Sequence, residues 1–187
     1  MVGHDVKGKG ATSVAPLNLQ EYDFNLQIAQ DVYRKAMEHG IACRIFLRNG
    51  IGIRGVYEQV AQWADKNTVC IELHFNSFNG KAQGTETLFD KSPTDSIEFA
   101  REIHNGICEL FKRKDKTNRG LKLIEQGDRG YLNLNLCQIP SCIVEPFFGD
   151  NTEDAKLAHK YMNLYGDTLV NSTIAYFKNK EKIMAMN

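Results

Sequence analysis

Residues Thr68–Phe75 read TVCIELHF, and Ser141–Glu145 read SCIVE. Both are short apolar runs with β-branched residues, the kind of segment that forms a strand buried on both faces of a parallel sheet. Each run also carries a residue that does not suit a core, His74 in the first and Glu145 in the second. In open α/β sheets, ligand sites form beyond the carboxyl ends of the strands. The two residues are therefore expected to meet on one rim.

Working outward from these strands, helical spacing alternates with them. Tyr22, Leu26, Ala29, Tyr33 and Ala36 recur at intervals of three and four, which predicts a helix that Gly40 stops. Ala42–Leu47 predicts a short strand, and Arg54–Asp65 a second helix. Gly84–Phe89 predicts a strand paired beside TVCIELHF, and Ile97, Ala100, Ile103, Ile107 and Leu110 mark a helix after it. Leu121–Leu136 reads only as short strands or turns. A long closing helix is expected from Thr152 to about Phe177. This order predicts an α/β fold: a single domain with a mostly parallel twisted sheet and helices on both faces. Residues 1–178 are expected to form that domain. Residues 179–187 are expected to be a polar, frayed tail, or the point where a longer protein was cut.

The 187 residues are enough for one substantial core. Lys plus Arg number 23, as do Asp plus Glu, so the chain has no net charge with which to attract nucleic acid or an anionic membrane surface. The basic run Lys112–Lys116 reads as the solvated end of a helix. No apolar run approaches the ~20 residues that cross a bilayer, so no stable membrane association is expected. Met1 and Val2 lead straight into polar Gly3-His4-Asp5, which does not resemble a secretory signal and predicts synthesis in the cytoplasm. Five scattered cysteines without a C-x-x-C pair read as reduced core thiols.

Four residues could converge: His4 after the first short strand, Glu21 opening the first helix, His74 and Glu145. A catalytic zinc takes three His or carboxylate ligands and keeps a fourth position for water, whose pKa falls toward ~7. A nearby carboxylate outside the ligand set can then carry protons. Taken singly, each residue has a plainer reading. His74 could be a hydrogen-bonded core histidine, Glu21 a carboxylate favoured at a helix N-terminus, and Glu145 a surface residue before a turn. Their spacing follows no short rule of the H-E-x-x-H kind.

Several segments in order carry a resemblance. Val2-Gly3-His4-Asp5, Gly10-Ala11, Glu21, Glu72-Leu73-His74-Phe75-Asn76, Gly84-Thr85-Glu86-Thr87-Leu88, Arg119-Gly120-Leu121-Lys122 and Ile143-Val144-Glu145-Pro146-Phe147-Phe148 with Asn151 resemble the zinc N-acetylmuramoyl-L-alanine amidases. The likeness is greatest to catalytic domains of bacteriophage endolysins and runs from Val2 to about Leu169. It implies that His4, Glu21 and His74 bind Zn2+ and that Glu145 is the catalytic glutamate. The implied substrate is peptidoglycan, cut at the amide between N-acetylmuramic acid and L-alanine. Glu145 would take the attacking water's proton and return it to the alanine nitrogen. Such an enzyme, made without a signal, would act on the wall after release and lyse it, and the tail at 179–187 would be the point before a missing wall-binding module.

The chain departs from the family before Gly3, where only Met1 and Val2 stand in place of a longer apolar strand. A short first strand and a less firmly anchored His4 are expected. The loop after His4 is also lysine-rich. Glu72, which alternates with His74, is a candidate partner behind the metal. Asn76, Glu86 and Phe147 are candidates for the substrate groove, Phe147 alternatively closing the core. Asp5 is a minor alternative ligand. His39, His104 and His159 read as surface or capping histidines, and Trp63 with Tyr57 as helix packing. Two rival functions remain. A carboxypeptidase acting on wall peptides would want an arginine for a terminal carboxylate, such as Arg54 or Arg119. A non-catalytic wall-binding module would lack one of the four site residues.

Overall fold

The computed structural model describes residues 1–93 and 95–186. Its helices are α1 (Glu21–Glu38), α2 (Gly52–Trp63), α3 (Ser96–Leu110), α4 (Tyr131–Asn135) and α5 (Thr152–Met186). Its strands are β1 (Cys70–Leu73), β2 (Thr85–Phe89), β3 (Asn118–Leu123) and β4 (Ser141–Glu145). They form one sheet in the order β1-β4-β2-β3. The pairs β1–β4 and β2–β3 are parallel, and β2–β4 is antiparallel. Gly84–Phe89 therefore does not pair beside TVCIELHF as expected. The buried run SCIVE lies between them, because the most apolar strand gains most from the centre of the sheet.

The period-two alternation of the strands divides the residues between two layers. Leu73, Cys142, Val144 and Phe89 face the main core with α1, α3 and α5. Phe24, Phe99, Ile103, Ile107, Tyr165 and Leu169 fill that core, each fully buried or nearly so. Burial of a side chain of this size contributes about 1.5–3 kcal/mol. On the opposite face, among the described residues, only α2 and the single turn of α4 cover the sheet, through small clusters around Val56 and Val60 and around Leu134 and Ile143. The cover is incomplete there, and a cleft of about 610 Å³ opens. Helices do lie on both faces, but unequally.

Several expectations need correction. Ala42–Leu47 forms no strand; it runs along the sheet edge, where Phe46 accepts one bond from the Val2 amide at 3.1 Å. Phe147 does not line a groove. It is completely buried, with its ring 5.0 Å from that of Phe75 and 5.2 Å from that of Phe24. His104 is buried rather than at the surface, between the Thr87 hydroxyl at 3.1 Å and the Asn118 amide oxygen at 2.9 Å. Within the basic run, Arg113 turns inward to a buried ion pair with Asp154 at 2.7 Å. The tail is helical to Met186, since α5 continues past Phe177. Its start is tied to α3 and the residue before it: Asn179 donates to Glu102 at 3.0 Å and Lys180 to Asp95 at 2.7 Å. Residue 187 lies outside the described residues.

Candidate metal centre

His4, Glu21 and His74 come together at one end of the cleft, each offering an atom within 4.8 Å of the others. The short first strand makes a single parallel bridge, Val2 with Leu73. Its backbone is nevertheless held on both sides. Gly3 N–H donates to Leu73 O at 2.9 Å, Leu73 N–H to Met1 O at 2.9 Å, and Val2 to Phe46 as above. His4 is therefore better anchored than its short lead suggests. It takes a left-handed backbone with φ 66°, uncommon for a residue with a side chain. That turn brings its ring over the site.

Glu21 is the first residue of α1. Its carboxylate accepts the Ala11 N–H at 3.1 Å and the Phe75 N–H at 3.2 Å, so loop and strand fix it in place. Burial pushes its pKa up, but hydrogen bonding and charge from His4 and His74 outweigh burial and hold it at about 2. It is a carboxylate at neutral pH. Lys9, from the lysine-rich loop, pairs with Asp23 at 2.9 Å.

His74 follows β1. Its Nδ1 lies 2.8 Å from Glu21 Oε1, and its Nε2 lies 2.9 Å from Glu72 Oε1. Glu72 is buried and also bound by Arg48, by the Tyr57 hydroxyl at 2.6 Å and by the Asn133 amide at 2.7 Å. With Nε2–H donated to Glu72, Nδ1 keeps its lone pair and can ligate a metal, the arrangement typical of metal-bound histidines. Asp5 does not join the group; its oxygens accept the Lys7 and Gly50 amides.

The three residues fit a divalent metal. His4 Nε2 lies 3.0 Å from Glu21 Oε2 yet is buried without an aligned hydrogen bond, so protein contacts alone leave it unsatisfied. Two glycines keep the space clear. A Cβ on Gly10 would stand 2.5 Å from Glu21 Oε2 and 2.7 Å from the His4 ring, and one on Gly3 would collide with the His74 ring. Two imidazoles and one carboxylate match the donor set of a catalytic zinc with an open fourth position.

Glu145 ends β4 on the same face and lines the cleft with His4 and His74. Its Oε2 is buried with no hydrogen-bond partner. Burial raises its pKa to about 8, the charges of His74 and Arg129 pulling down and those of Glu21 and Glu86 pushing up. Glu86 stands opposite it on β2. Both Glu86 oxygens are engaged, one by the Asn76 amide and one by Arg119, each at 2.8 Å. Arg119 also lies over the Phe148 ring at 5.0 Å. Of the two facing carboxyl groups, Glu145 is the one free to exchange a proton. Arg48, Tyr57, Asn133 and Arg129 were not singled out as site residues from sequence. They occupy helices or loops whose spacing gives no sign of which face they serve.

The chain matches the family model described as N-acetylmuramoyl-L-alanine amidase over residues 1–170. It is 28% identical over 180 residues to the uncharacterised protein YqiI of Bacillus subtilis (strain 168), covering 94% of this chain and 82% of that one. The catalytic domain of CwlV, an N-acetylmuramoyl-L-alanine amidase from Bacillus (Paenibacillus) polymyxa var. colistinus, is similar in structure with a TM-score of 0.78 at 18% identity. That match covers 95% of this chain and 96% of that one. The catalytic domain of an endolysin targeting Clostridia difficile gives a TM-score of 0.70 at 24% identity, covering 93% and 94%. At such identities the two structures establish a shared fold.

Proposed function

The chain belongs to the N-acetylmuramoyl-L-alanine amidase family and is a cell-wall amidase, and on that footing we propose that His4, Glu21 and His74 hold zinc while Glu145 carries the protons. The observation that carries this assignment is the pairing of an unsatisfied His4 Nε2 with an unpartnered Glu145 Oε2 in one cleft. Zinc bound there would polarise the scissile carbonyl and lower the pKa of a bound water toward ~7.

The protein groups divide the remaining work. Glu72 fixes the His74 ring, and the Phe75 and Ala11 amides fix Glu21. Glu145 accepts the proton of the attacking water and gives it to the departing alanine nitrogen. Burial raises the pKa of this carboxyl group to about 8 in the metal-free chain; with zinc bound its ionised form is favoured, the state that accepts the water's proton. Glu86, bound at both oxygens, shapes the opposite wall.

The same reading extends to where the enzyme works. Five unpaired cysteines, four of them buried, support synthesis in a reducing cytoplasm; release to the wall, as in a lytic role, follows in this reading from where the substrate lies. The decisive experiment digests purified walls with the zinc-loaded enzyme. New L-alanine amino groups without new reducing sugars are expected. Glu145→Ala should retain zinc and lose activity by about 10²–10⁴-fold. Retained zinc with retained activity would remove Glu145 from the proton-carrying role.

A further inference from the structure

Three arginines line or flank the cleft, and two of them are committed. Arg48 is bound to Glu72 behind the metal group, and Arg119 to Glu86 on the opposite wall. Arg129 lines the cleft with His4, His74 and Glu145. Among the described residues no hydrogen bond or ion pair holds it; its charge acts on Glu145 across the cleft, and its side chain is exposed. The loop that carries it is nevertheless fixed. Asp128 accepts the Glu125 amide on its carboxylate at 2.9 Å and the Tyr131 amide on its carbonyl at 3.2 Å, and the Asp128 amide returns to Glu125 O at 3.0 Å. Asp128 is thereby occupied in shaping the loop.

An exposed cation on a fixed loop, held by no hydrogen bond or ion pair among the described residues, is a recognition element for an anion. The substrate narrows the choice. The lactyl carboxyl of muramic acid is consumed in the scissile amide, and the N-acetylated sugars are neutral. Close to the bond, negative charge resides on the stem peptide alone. Building on the amidase reading, we infer that Arg129 is the subsite for a free carboxylate of the stem peptide, and so a specificity-determining residue. It would act through substrate binding, by pairing with a carboxylate some way along the peptide from the alanine nitrogen. The carboxylate has two sources, the acidic second residue of the stem and the peptide's C-terminus.

The test titrates the zinc-loaded protein calorimetrically with three synthetic peptides of sequence L-Ala-γ-D-Glu-L-Lys. One carries a free carboxyl on the second residue and an amidated C-terminus, one the reverse, and one is amidated at both. Wild type is expected to bind one singly charged peptide about tenfold more tightly than the neutral one, as for a single charge-assisted pair. Which peptide gains identifies the source. Arg129→Gln should erase the preference and Arg129→Lys should keep part of it. Equal binding of all three, binding of none, or a uniform loss in Arg129→Gln would overturn the inference. Because no bond is cut, this result is independent of the wall digest. A failed amidase assignment appears there as absent alanine amino groups, whatever the peptide preference.

Discussion

Nε2 of His74 and Oε1 of Glu72 lie 2.9 Å apart, two residues from each other on the same face of the chain. Glu72 is itself gripped by Arg48, Tyr57 and Asn133, so the ring it orients has little freedom. Glu72→Gln is expected to weaken zinc binding about 10–100-fold, since it replaces the charged acceptor behind a ligating histidine. Competition with a chelating dye measures this. Unchanged zinc affinity would separate Glu72 from the metal site and leave it as an anchor for Arg48.

Glu145 gives the metal-free protein a defined pH response. Its pKa in the folded chain is about 8, against an ordinary value of 4.5. The fold thus favours the protonated form. That contribution is complete below about pH 4.5 and is lost as the pH rises through about 8. Glu145→Gln stays neutral throughout. Its melting temperature, relative to wild type, should climb between about pH 5 and pH 9 and then level off. Scanning calorimetry of chelator-treated protein tests this, and a constant offset across the range would show that Glu145 is not held neutral by the fold.

Gly10 has φ 75° and its α-carbon faces the Glu21 carboxylate and the His4 ring. Gly10→Ala should push both ligands apart while the main core, made by α1, α3 and α5, stays formed. Loss of bound zinc with a preserved far-ultraviolet dichroism spectrum is the expected outcome. A variant that keeps full zinc occupancy would show that this close approach is dispensable.

Arg113 and Asp154 form a buried pair at 2.7 Å, and Asp154 also accepts the amides of Gly84 and Phe148 at 2.8 Å. Arg113 donates in turn to Thr85 at 3.1 Å and to Pro146 O at 3.3 Å, directly after Glu145. Arg113→Met leaves a buried carboxylate without its counter-charge. Urea denaturation should show a loss of about 3–5 kcal/mol. A loss below about 1 kcal/mol would mean that the two backbone amides suffice to hold Asp154.

The strands carrying His74 and Glu145 were legible because a buried strand must be apolar almost throughout, and a polar residue in such a run stands out. Helix α1 was legible from its three-and-four spacing and Gly40. Sheet order was not. β2 follows β1 in sequence, yet β4 returns to lie between them, and nothing local to Thr85–Phe89 encodes that return. Ala42–Leu47 has the composition of a strand, but its position at the edge lets it pack against Val2 without a regular ladder. Arg113 and Arg129 show the limit most clearly. Both are arginines in polar stretches, and only the tertiary fold buries one against Asp154 and leaves the other facing the cleft.

The alternation along β1, β2 and β4 has a consequence for what a measured activity means. Glu72, Glu86, Ile143 and Glu145 point to one side, while Leu73, Thr87 and Val144 point to the other. A strand paired one residue out of step would exchange these sets, placing Val144 in the cleft and Glu145 against the phenylalanine core. Such a molecule would have no partial activity. The chemistry is therefore all-or-none in each molecule. The specific activity of a refolded sample, at full zinc loading, counts the fraction of chains whose strands found their correct partners.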